Sequence, residues 1–116
     1  MSYDLYLMKN MQVCHTETPH HITGGTYEAG GSTKLWLNIT YNYSPYFYRV
    51  FGEKGIRALL GLTGAASIPV LEAAMVLLKD DVTDNYWEAT EGNAKKALQD
   101  LVALAKLCPD GIWAGG

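Results

Sequence analysis

Residues 34–45, Lys-Leu-Trp-Leu-Asn-Ile-Thr-Tyr-Asn-Tyr-Ser-Pro, constrain this chain more than any other stretch, because a strong strand pattern runs straight into a helix start. Side chains alternate between faces in extended chain, so Leu35, Leu37, Ile39, Tyr41 and Tyr43 share one face and Trp36, Asn38, Thr40 and Asn42 the other. The first face asks for a core. The second sets two amides and a hydroxyl in line beside an indole, more hydrogen-bonding capacity than solubility requires, and asparagine is disfavoured in strands. Two readings of it stand side by side, a solvated edge and a recognition surface.

The rest of the chain supplies partners for that strand. Residues 2–9 alternate, with Tyr3, Leu5 and Leu7 on one face, and form the expected neighbouring strand. Between the two lies a long connection over 12–32, with Pro19, two Gly-Gly pairs and a strand-like piece at 26–29. A connection of this length is functional or mobile, or it conceals a hairpin. Beyond it the pattern turns helical. Ser44 followed by Pro45 reads as an N-cap and first-turn pair for a helix over 46–51 closed by Gly52, and 53–60 reads as a second short helix ended by Gly61. Ser67 with Pro69 reads as the start of a third helix reaching Lys79. Thr90 caps a fourth, whose stripe runs Ala94, Ala97, Leu98, Leu101, Leu104, Ala105 and Cys108, with Lys95, Lys96 and Asp100 outside, until Pro109 stops it. The tail is placed to return Ile112 and Trp113 to the sheet or the core. Strands followed by helices predict an α+β fold, a small antiparallel sheet packed by three to four helices.

At 116 residues, the chain has the length of a single domain over 1–116. Its formal charge of −3 gives no footprint for duplex nucleic acid, whose binding is dominated by clustered Lys and Arg. Neither a signal-peptide pattern nor a membrane-length apolar run is visible, so the sequence predicts a cytoplasmic protein without a membrane partner, its two cysteines Cys14 and Cys108 reduced.

No motif for catalysis, cofactor or metal emerges. His15, His20 and His21 with Cys14 and Glu17 match no metal-ligand spacing. His21-Ile22-Thr23 has the form used twice by two-histidine phosphoesterases, but no histidine follows it. Asp4, Glu28 and Asp110 show no acid–base spacing, and no phosphate-binding glycine loop is present. The candidate ligand-binding residues are therefore Trp36, Asn38, Thr40 and Asn42, joined by Tyr86 and Trp87 from the following loop, Asn93 at the last helix start and Arg57 as a cation. Neutral donors and acceptors beside aromatic rings suit the edges of a base or ribose. Gly92 in the first helical turn reads either as close packing or as an amide open to an anion.

At residues 38–45, 55–61 (Gly-Ile-Arg-Ala-Leu-Leu-Gly) and 109–113 (Pro-Asp-Gly-Ile-Trp), the chain resembles a group of small uncharacterised proteins of phages and bacteria, over roughly residues 34–113. The resemblance implies no established activity. It implies a setting, a phage-encoded small acidic protein acting in the host cytoplasm as an anti-defence factor. The resulting expectation is a non-enzymatic, homo-oligomeric binding protein that sequesters a nucleotide-derived signalling molecule. The alternatives are a module that inhibits a host protein through Tyr46, Tyr48 and Phe51, and an enzyme acting on a nucleotide ligand.

Overall fold

The computed structural model covers residues 1–116 and shows an α+β arrangement built on β1 (Ser2–Lys9). Its alternation places Tyr3, Leu5 and Leu7 inward, and all three are buried. β1 turns through Asn10 and Met11, both at positive φ, into the short β2 (Gln12–Val13). It pairs antiparallel with β5 (Trp36–Thr40), Ser2 opposite Thr40 and Tyr6 opposite Trp36, and with the C-terminal β6 (Ile112–Gly115), Leu7 opposite Trp113. The long connection contains the hairpin that was one of its two readings: β3 (His15–His20) pairs with β4 (Ser32–Lys34) as a separate two-stranded ribbon. The piece at 26–29 is not a strand.

Three helices cover the inner face: α1 (Ser44–Phe51), α2 (Gly64–Val76) and α3 (Glu91–Leu107). Residues 53–60 provide no fourth α-helix; they hold a 3-10 turn, Gly55–Leu59. The stripe on α3 is as the spacing predicts, buried from Ala94 to Ala105, and Thr90 caps it by accepting from the Asn93 amide at 3.0 Å. Leu71, Ala74 and Leu78 from the α2 region, Tyr43, Phe47, Ile56, Leu59 and Trp113 complete one continuous core.

Both serine caps are corrected. A 3-10 turn, Tyr41–Tyr43, precedes α1 and is capped by Thr40, whose hydroxyl accepts from the Asn42 amide at 3.2 Å; Ser44 already lies inside α1 and bonds the Tyr3 hydroxyl at 2.6 Å. The third helix starts a turn earlier than Ser67, at a Thr63 cap that accepts from the Ala66 amide at 3.1 Å, and it ends at Val76 rather than Lys79. Ser67 is wholly buried, donating to the Gly64 carbonyl at 2.7 Å and accepting from Trp113 Nε1 at 2.8 Å. It joins α2 to the last strand.

Ser67→Ala therefore strands a buried indole N–H, at a cost of about 1–3 kcal/mol. In a Trp113→Phe background the same change costs under about 1 kcal/mol, because the donor is gone. Urea denaturation of the four proteins of this cycle measures the difference, and equal costs in both backgrounds would show that the bond contributes nothing.

Candidate functional site

The polar face of β5 meets three different fates. Asp4 stands opposite Asn38 across the β1–β5 pair, and its Oδ1 accepts from Asn38 Nδ2 at 2.9 Å and from Trp36 Nε1 at 3.1 Å. Asn38 also donates to Ser2 Oγ at 2.7 Å. The indole of Trp36 borders a shallow hollow of about 250 Å³ on the outer sheet face, with Tyr6, Val13, Glu28 and Lys34. Thr40 is buried as a cap, and Asn42 reaches across to donate to the Trp87 carbonyl at 2.8 Å. The strand ends at Thr40, so Asn42 is not in line with the other three.

The segment 82–90 is held down by side chains chosen for hydrogen bonding. Asn93, nearly fully buried, accepts from the Thr83 amide at 2.9 Å and donates to Thr83 Oγ1, the Asn85 carbonyl and the Glu88 carbonyl at 3.0–3.1 Å. Tyr86 packs edge-on against Tyr43 and accepts from the Thr40 amide at 2.9 Å while donating to the Asn38 carbonyl at 3.2 Å. Tyr43 donates to the Tyr86 carbonyl. Burial raises the pKa of both phenols, which stay neutral and keep donating. Trp87 lies half exposed at the surface, its ring against Tyr86.

Gly92 is a packing glycine. A Cβ there would meet the Val82 nitrogen at 2.3 Å and the Asp81 carbonyl carbon at 2.4 Å, and the Gly92 amide donates to Asp81 Oδ1 at 2.8 Å. The chain's own carboxylate thus occupies the positive end of α3. Nearby cations are also engaged: Lys95 with Asp80 at 2.8 Å and Arg49 with Glu91 at 2.6 Å. Arg57 lies elsewhere, its guanidinium 5.0 Å from the centre of the Tyr3 ring.

Between the 82–90 segment, α3 and residues 23–24 lies a cavity of about 390 Å³, within the roughly 300–1,000 Å³ range of small-molecule sites. Leu37, Tyr43, Tyr86 and Ala97 wall it; Thr23, Thr83, Asp84, Asn93, Lys96 and Asp100 supply its polar groups. Gly24 allows the wall to close, since a Cβ there would fall 1.8 Å from the Asn38 carbonyl oxygen, and Gly25 donates its amide to that same oxygen at 2.8 Å. Asp100 is the group with spare capacity. Its only side-chain partner is Lys96, one turn back at 3.5 Å, and burial raises its pKa against the pull of that ammonium.

Of the residues expected from sequence, Tyr86 and Asn93 border this cavity and Trp36 borders the outer hollow; Asn38, Thr40, Asn42, Trp87 and Arg57 border neither. By the sequence pattern Asp100 stands outside the apolar stripe of α3, with Lys95 and Lys96. It follows buried Ala97 by three residues and precedes buried Leu104 by four, a spacing that sets it on the shoulder of the apolar stripe and could have marked it. The loop histidines serve the ribbon, His15 bonding Thr33 Oγ1 at 2.9 Å and His20 the Lys34 carbonyl at 2.5 Å. No three His, Cys, Asp or Glu side chains converge as a metal would require. No helix is long and apolar enough to cross a membrane.

A raised folded-state pKa means that Asp100 favours folding when protonated, below the ordinary aspartate value, and that this contribution is lost as pH rises through the folded value. Asp100→Asn is therefore expected to raise the urea midpoint at pH 7, with the gain shrinking as pH falls toward about 4. A gain that is constant across this range would remove the titration from the explanation.

Scans against protein-family models, curated proteins and solved structures found no match to this chain, so the role of the cavity is read from its own chemistry.

Proposed function

We propose that this chain is a non-enzymatic binding protein that holds a nucleoside or a nucleotide by its base in the cavity beside α3. The observation that carries the reading is Asp100, a largely buried carboxylate with one long ionic contact, lining a cavity beside two threonines. A carboxylate with free lone pairs suits a base edge that offers adjacent N–H donors, and hydroxyls suit a ribose. Two carboxylates against one ammonium on the lining disfavour a buried phosphate chain, so phosphates of a nucleotide ligand would remain at the mouth. A nucleophile paired with a base is missing from the lining, which favours sequestration over turnover. The phage anti-defence setting, in which such binding withholds a nucleotide-derived signal, rests on the resemblance at residues 38–45.

Titration calorimetry with the four common ribonucleosides and their 5′-monophosphates tests this. At least one is expected to bind with a Kd of about 100 μM or tighter, with a loss of tenfold or more, about 1.4 kcal/mol, in Asp100→Ala. Trp36→Ala, on the outer hollow, should bind normally. Failure of the whole panel at millimolar concentration, or loss in Trp36→Ala alone, would overturn the assignment.

A second reading, a protein-interaction module, has its own observation. Glu72 is the sole charged residue of α2, and Val70, Val76 and Leu77 on and just beyond the helix are exposed by 40%, 82% and 62%. A helix that is apolar all round ordinarily has neighbours on every side. Phe51, Val50 and Ala58 border a groove of about 470 Å³ with this face. If the face is an interface between copies, sedimentation velocity of the wild type shows a dimer or larger species at micromolar concentration, and Val76→Glu with Leu77→Glu returns it to monomer. A monomeric wild type rules out self-association there.

A further inference from the structure

The two cysteines, 94 positions apart in sequence, meet at a sulfur–sulfur distance of 3.2 Å. Cys14 joins β2 to β3, and Cys108 is the C-cap of α3. Neither backbone is loose at this point. Cys14 donates its amide to the Leu7 carbonyl at 2.8 Å and accepts from the Leu35 amide at 3.0 Å, while the Cys108 carbonyl accepts from the Gly111 amide at 3.1 Å.

Gly111 makes room for the pair. A Cβ on this residue would lie 3.2 Å from each sulfur and 3.1 Å from Leu7 Cβ, although its φ is one that any residue can adopt. The requirement is therefore for space, and the space holds two sulfurs. Lys9 and Asp110 close the outer side with an ion pair at 2.5 Å, and Asp110 Oδ1 lies 3.6 Å from Cys108 Sγ. Burial, then the hydrogen bond from Cys108, pushes the Cys14 thiol up to about 11, which keeps a proton on it at neutral pH.

We infer that Cys14 and Cys108 form a thiol–disulfide site, oxidised by hydrogen peroxide or by a small-molecule disulfide, that reversibly staples the β2–β3 corner to the end of α3. With peroxide, one sulfur attacks an oxygen, the O–O bond breaks, and a water leaves behind a sulfenic acid. The second sulfur then attacks that sulfur, the S–O bond breaks and a second water leaves. In sum two thiols are oxidised and one peroxide is reduced to two waters. With a small disulfide, exchange through a mixed disulfide releases two small thiols. Closure shortens the contact to about 2.05 Å, and the bond links nearly the whole chain into one loop, the case in which a cross-link restricts the unfolded ensemble most.

Treating the folded full-length protein with stoichiometric hydrogen peroxide, or with oxidised glutathione, and measuring intact mass tests the inference. The expected product is a monomer lighter by two hydrogens, with a peptide pair joining residues 14 and 108, a Tm higher by about 5 °C or more, and full reversal by dithiothreitol. Cys14→Ser and Cys108→Ser should each abolish the mass change, but the mass and peptide map of the wild type decide the matter even if those variants fold poorly. Two thiols that persist under conditions that oxidise free dithiothreitol, or oxidation only to intermolecular dimers, would overturn it.

Discussion

Everything in the molecule hangs on the pairing of β1. β5, β2 and β6 all bond to it, and at Leu7 the amide donates to the Leu35 carbonyl while the Leu7 carbonyl accepts from Cys14. β2 is a local hairpin partner, but β5 and β6 come from residues 36–40 and 112–115, so most of the sheet is made of contacts distant in sequence. Its inner residues Tyr3, Leu5 and Leu7 form a floor in the same core cluster as the buried face of α3, which meets the sheet at β5. The tail is fixed from both sides. Trp113 pairs with Leu7, bonds Ser67 in α2, and exchanges backbone bonds with residues 61–62.

With that floor in place, the polar side chains on the far half do a different task from the one their composition suggests. Asn42, Tyr43 and Asn93 bond backbone carbonyls of the 82–90 segment, and Tyr86, from within it, bonds the Thr40 amide and the Asn38 carbonyl, so a stretch with no regular structure of its own is held in place. Buried backbone groups need such partners where no helix or sheet supplies them. The cavity borders this arrangement. It lies where tethered loop, helix and glycine pair leave space, with Asp84, Lys96 and Asp100 as its charged lining.

The β1–β5 pairing and the return of the tail follow from the need of each apolar face for a partner. The strand alternation of β1 and β5, the stripe on α3 and the Thr90 cap follow from spacing that a local window contains. The caps at Ser44 and Ser67 do not, because a serine near a proline looks like a helix start wherever it falls, and Thr40 and Thr63 stood a turn earlier with equal chemistry. Asn38 looked surplus because its partner, Asp4, lies 34 residues away. Cys14 and Cys108 looked unrelated for the same reason. Hydrogen bonds between side chains and contacts between sulfurs leave no periodic trace, so the candidate site was far less legible than the fold. Asp100 stands on the shoulder of the α3 stripe, and grouping it with Lys95 and Lys96 on the outer side hides it.

The phenol of Tyr86, receiving from the Thr40 amide and giving to the Asn38 carbonyl, does along the rim of β5 what one residue of a further strand would do. The Gly25 amide adds a second such bond. An open rim is a template on which foreign chains pair and aggregate. Here the cover on that template is also the wall of the cavity. Any motion wide enough to swing the wall aside bares unpaired backbone, so large openings there carry a risk of sticking to other chains.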